Sequence, residues 1–182
     1  MNLPHAFAAL LATPTPPELG PGPRAGVQPS QSLQAAIDAA LRQTPLPPSP
    51  GQAARALVLL WHDHHDPAHG IVQDMATAES SYVHAILHRR EPDYGNAKYW
   101  LRRVGSHSCH EPLAQAAAGL LNDAEHAALR SKLLPGGTWD AFAFVDACEA
   151  AAGLPGNAKV VETLREIQAA EFRLLLESLT AP

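Results

Sequence analysis

The chain has little of what identifies most enzymes at sight. Only two of its 182 residues are cysteines, Cys109 and Cys148. Two thiols are too few for a disulfide framework and read as free groups in a reducing compartment, which points to the cytoplasm. Basic residues are outnumbered, with 13 Lys and Arg against 18 Asp and Glu for a formal charge of -5. No cationic surplus exists to neutralise a phosphate backbone, so nucleic acid is not the expected partner. No run approaches the ~20 apolar residues that span a bilayer. The apolar run before Pro14 lacks the cationic residues that open a signal peptide, so neither a membrane span nor a leader is expected. Also missing are the glycine-rich fingerprints of dinucleotide and nucleoside triphosphate binding and the G-x-S-x-G turn of serine hydrolases. Nowhere does the sequence alternate with the period of two that marks a half-buried strand.

Proline, by contrast, is abundant and unevenly placed. Eleven of the 17 prolines fall within residues 1–50, where fixed φ angles and missing donors favour extended or polyproline II backbone. Between the proline runs, apolar Leu33, Ala36, Ile37, Ala40 and Leu41 recur at helical spacing. Residues 1–50 therefore read as a Pro-rich arm carrying one short helix and lying over the body. Residues 51–182 read as a single α-helical domain, with the length suited to one well-packed core.

Within that domain the breakers set the helix limits. Gln52 to His62 is helical in pattern. Asp66 before Pro67 restarts the helix toward Met75, since a capping carboxylate precedes a proline at the first turn. Ser80 to Arg90 forms the next helix, Pro92 interrupts it, and Asp93 caps another that stops near Gly105. Three more helices follow over 112–134, 139–152 and 157–179. The expected fold is all-α, with six to eight helices and two helical hairpins at its centre.

Chemistry is concentrated in those hairpins. Eight of the ten histidines lie between His62 and His110, a region that also holds the three tyrosines and a cluster of arginines. At roughly 100° per residue, Ser81, His84, His88 and Glu91 fall within an arc of about 80° on one helix face. His-x3-His is a metal-ligating spacing when further ligands arrive from elsewhere, and the preceding hairpin offers His62, Asp63, Asp66 and His69. A divalent metal such as zinc is thus one candidate cofactor, with His84, His88, His69 and Asp66 as ligands and Glu91 and His62 as the acid–base groups. Ligand nitrogens within about 3 to 4 Å of one another would mark such a site. The competing reading makes His84 and His88 packing residues, hydrogen-bonded to Asp66, Glu91 or backbone carbonyls. His107-Ser108-Cys109-His110 reads as a loop.

A second candidate surface is cationic. Arg89, Arg90, Arg102 and Arg103, with Lys98, converge at the Pro92-Asp93 turn, with Tyr82, Tyr99, Trp61 and Trp100 as apolar walls. Planar guanidinium groups grip carboxylate or phosphate in bidentate fashion, so an anionic small molecule or a peptide is the partner expected there. The bland alternative is a solvated face with these arginines paired to Asp63, Glu91 or Asp93.

Two resemblances bear on the fold. Ala56 and Ala68 are separated as Ala85 and Ala97 are, and EPDYGNAKYWLRRV is similar to the turn and second helix of a tetratricopeptide unit. The repeat offset of 29 departs from that family's ~34. More of the chain resembles a family of bacterial and fungal helical proteins that share WHD, the D-x-A-H of Asp66 to His69, the HAI-x-HRREPDYGNAKYW of His84 to Trp100, and the WD-x-FAFVD of Trp139 to Asp146. That resemblance implies a helical fold and no mechanism. Two functions follow from the residues: a helical binding module presenting a His/Arg/aromatic groove to an anionic ligand, or a metal-dependent enzyme built on the His-x3-His face.

Overall fold

A computed structural model describes residues 3–181, and all regular structure among them is helical. Ten α-helices follow in order: α1 (His5–Leu10), α2 (Ser30–Gln43), α3 (Pro48–Trp61), α4 (His65–Val72), α5 (Ala78–Arg90), α6 (Tyr94–Val104), α7 (His110–Leu120), α8 (Ala127–Leu133), α9 (Ala141–Ala151) and α10 (Lys159–Thr180). That exceeds the expected six to eight for two physical reasons. The arm holds two helices, because Phe7 and Leu10 of α1 find buried positions that their short run alone does not announce. The span expected as one helix over 112–134 breaks at Asn122-Asp123. There the Asp123 carboxylate accepts a hydrogen bond from the His126 backbone N–H at 3.0 Å and starts a new turn ahead of α8.

The punctuation around α5 and α6 follows the residue chemistry closely. Thr77 and Ser80 form a reciprocal capping box at the start of α5. Asp93 accepts from the Asn96 backbone N–H at 3.2 Å to cap α6, and Gly105 ends it at φ 62, where a side chain would be strained. α3 and α4 pack as one pair, α5 and α6 as another, and α4 meets α5, so the two hairpins share a face. α10 runs against α3, α7 and α9 and closes the body.

One cluster of buried side chains joins the arm to this body. Phe7, Leu10, Leu33 and Ile37 pack into the same core as Leu57, Leu60, Ile86, Phe172 and Leu176. A second cluster, around Leu113, Phe144, Leu164 and Ile167, knits α7, α9 and α10 together. Burying a Leu or Phe contributes roughly 1.5–3 kcal/mol, so the arm is held first by apolar contact.

Polar staples then fix its path. The Asp63 carboxylate, fully buried at the α3–α4 turn, accepts from Arg24 and Arg90, each at 2.6 Å. Arg90 also donates to the carbonyls of Leu60, Glu18 and Gly20, so its guanidinium is satisfied without solvent. Trp61 Nε1 donates to Thr13 Oγ1 at 3.1 Å, and Gln168 donates to the carbonyls of Pro17 and Glu18.

Candidate metal centre

The α4–α5–α6 face gathers three of the nominated histidines. His69 comes from α4, His84 and His88 from successive turns of α5, and each brings one ring nitrogen within 4.8 Å of the other two. The His84 and His88 rings stack, with centroids 4.7 Å apart, because a separation of four residues places them one above the other. The His69 ring meets both edge-on, at 4.8 and 5.6 Å. Trp100 of α6 stacks on the far face of this group, 3.9 Å from the His84 centroid.

His84 is the outlier in polar chemistry. Its side chain is 2% exposed, yet neither Nδ1 nor Nε2 has a hydrogen-bond partner. An imidazole always carries a donor or a lone pair at each nitrogen, and leaving a buried polar group unpaired costs about 1–3 kcal/mol. Burial, assisted by His88 and His69, pushes its pKa down to about 3, so the ring is neutral and its lone pair free near neutral pH. The packing reading required His84 to be bonded to a carboxylate or a carbonyl. Neither is present.

His88 differs. Its Nδ1 lies 3.1 Å from Glu91 Oε2, and its Nε2 lies 3.1 Å from Asn96 Nδ2. A carboxylate only accepts, so Nδ1 carries the proton and Nε2 holds the lone pair that receives the Asn96 amide N–H. Burial lowers the His88 pKa against the opposing pull of Glu91 and Asp93. The carboxylate-to-histidine contact at Nδ1 is the kind that orients metal-bound histidines, while the Nε2 lone pair is taken up by Asn96.

Around an ion with bonds of about 2.0–2.1 Å, neighbouring ligand atoms stand roughly 2.9–3.4 Å apart. The three nitrogens, within 4.8 Å, are looser than that and looser than the 3 to 4 Å expected. His69 is half-buried, whereas His84 and His88 are buried.

Other nominated residues are placed elsewhere. Asp66 is exposed in the first turn of α4 and is not part of the histidine group. His62 is committed to the arm. The Gln28 backbone N–H donates to its Nδ1 at 3.1 Å, and its Nε2 donates to the Leu10 carbonyl at 2.8 Å, leaving no nitrogen for acid–base work or ligation. His64 is likewise taken, its Nε2 donating to the Gln28 carbonyl at 2.8 Å.

The cationic cluster disperses as well. Arg89 points into the core, where its guanidinium donates to Glu171 and Gln168 and lies 4.4 Å from the Phe144 ring centroid. Tyr82 is fully buried. Lys98 is paired with Asp146. Only Arg102, Arg103 and Tyr99 remain at the surface, with Arg103 Nη1 donating to the Tyr99 hydroxyl at 3.1 Å. Period alone could not separate these residues, because α5 is buried on every side and therefore has no solvent face for Arg89 to occupy.

Cys109 is no nucleophile at neutral pH, since burial pushes its thiol up to about 12. A pocket of about 550 Å³ lined by Ala128, Leu129, Ala143, Ala147 and Val160 shares no residue with the histidine group. The residue that sequence reasoning overlooked is Asn96. Its signal was the E-P-D-Y-G-N turn, which sets Asn96 on the first turn of α6, facing the end of α5.

Comparison with known proteins yields no match to any family model, curated protein or solved structure, so the site is read on its own geometry.

Proposed function

We propose that the protein binds a divalent transition-metal ion through His69, His84 and His88 and uses it as a metal-dependent enzyme. The observation that carries this reading is His84, buried with both ring nitrogens unpartnered inside a group of three histidines. Neutral imidazoles suit zinc, cobalt, nickel and copper. Three protein nitrogens leave at least one coordination position for water or substrate, the mark of a catalytic rather than a structural site. A bound ion would supply an activated water there. In this reading Glu91 acts through His88, holding its tautomer, and is not itself the acid–base group.

The alternative anion-binding groove loses Arg89, Lys98 and Tyr82 to other contacts, which weakens it as an independent function. What remains of it adjoins the metal site. Arg103 lies 5.1 Å from the Trp100 ring, and Trp100 stacks on His84, so the surviving guanidinium is linked to the histidine group through the indole. The resemblance to the helical family of bacteria and fungi belongs to the same proposal, because its longest shared segment, His84 to Trp100, contains two of the three histidines together with Glu91 and Asn96. The likeness of α3–α4 and α5–α6 to tetratricopeptide pairs is proposed only as a way of packing consecutive helices.

The test is metal analysis of protein purified without a histidine tag, followed by titration of the chelator-stripped protein with Zn(II) and Co(II). One ion per chain is expected for the native protein and none for His84→Leu. Absence of uptake by the native protein would overturn the proposal.

A further inference from the structure

Asn96 sits against His88, one of the three histidines of the group. Its Nδ2 is 3.1 Å from His88 Nε2, the nitrogen left as the lone-pair donor once Nδ1 is given to Glu91. That separation falls inside the roughly 2.9–3.4 Å expected between neighbouring ligands of one ion. Asn96 is anchored on the first turn of α6 by its own backbone N–H, which donates to Asp93, and the His88 contact is the hydrogen bond its side chain makes among the described residues. The amide is therefore free to turn over.

We infer that Asn96 is a metal ligand as well, through Oδ1. An ion on His88 Nε2 removes the acceptor that the amide N–H now uses. Rotation of the terminal amide by half a turn puts its oxygen in the place of its nitrogen, converting a hydrogen bond that competes with the ion into a bond to it. This inference rests on the proposed three-histidine site and extends it to three imidazole nitrogens and one neutral oxygen. A tetrahedral ion is saturated by that set, whereas an ion of five or six positions keeps room for water. The substrate-binding form of the site is therefore expected with ions that accept more than four ligands, cobalt and nickel among those that imidazole suits.

The experiment uses the full untagged chain, stripped of metal and titrated with Co(II) alone while the visible spectrum is recorded. Asn96→Ala is expected to bind Co(II) ~10- to 100-fold more weakly than the native protein, with an altered cobalt spectrum. Asn96→Asp, which keeps an oxygen in place and adds a charge, is expected to bind at least as tightly as the native chain. Far-UV circular dichroism of the stripped proteins checks that both variants fold. Equal or tighter binding by Asn96→Ala, with an unchanged spectrum, would show that Asn96 merely competes for His88, and would overturn the inference while leaving the three-histidine site standing. If the native protein takes up no Co(II), the site and the inference fall together.

Discussion

Two groups of histidines, separated by one turn of chain, have opposite fates. At the α3–α4 turn, His62 spends both ring nitrogens on the arm backbone, and His64 uses one of its own there. On the α4–α5 face, His84 is as deeply buried as His62 yet makes no hydrogen bond at all. Burial alone does not tell a structural histidine from a functional one. What separates these two is satisfaction: His62 has a partner at each nitrogen and His84 has one at neither, so the polar capacity of His84 is left over from folding.

The largest way to break this comparison lies on the structural side. Arg90→Ala is expected to lower unfolding stability by about 3–5 kcal/mol, because it strips a partner from the buried Asp63 carboxylate and removes the guanidinium donor from the Leu60, Glu18 and Gly20 carbonyls. Urea unfolding measures it. Little loss would mean that the arm is not held by this network. His62→Phe is next, at about 2–4 kcal/mol, since the Leu10 carbonyl and the Gln28 N–H are each left buried without a partner. Limited proteolysis should then cut within the Pro-rich arm, while metal uptake by the folded protein stays as in the native chain.

On the open side the stability effect should be small. His84→Leu replaces two unpaired nitrogens with apolar atoms, so the metal-free protein is expected to stay within about 1 kcal/mol of the native one, or to gain slightly, while losing the ion. A drop as large as that of His62→Phe would return His84 to the structural class.

Acid acts on both groups. His62, His107 and His110 are all lowered by burial from 6.5, His65 is lowered to about 4, and His84 on the open side to about 3. The folded protein binds fewer protons at these groups than the unfolded chain does. Their contribution to stability is therefore full above about pH 6.5 and is lost as pH falls toward about 3. Unfolding curves at pH 7.5, 6 and 5 should show a steady decline, and His62→Phe should flatten its upper part.

Much of this was legible in the residues. Helical period and the breakers Pro92 and Gly105 located α5 and α6, and the turn geometry of α5 paired His84 with His88, whereas α4 starts at His65 without a side-chain cap, so Asp66 lies inside its first turn and does not cap it. His69 joined them because the two hairpins share a face. What the residues could not convey was the destination of polar groups across long stretches of chain. His62 finds its partners at Leu10 and Gln28, and Arg89 finds Glu171, contacts set by how the arm and α10 close over the body. Asp66 was nominated as a ligand from the neighbouring hairpin but is exposed in the first turn of α4. Asn96 was passed over for the opposite reason: an amide is a weak motif, and only its distance from His88 gives it meaning.

The most direct test of the account is the paired cobalt titration of stripped native protein and His84→Leu, with unfolding stability measured on the same samples. The account predicts one ion bound per native chain, none bound by the variant, and metal-free stabilities within about 1 kcal/mol of each other. A native protein that takes up no ion, or a His84→Leu variant that binds as well as the native chain, would contradict it.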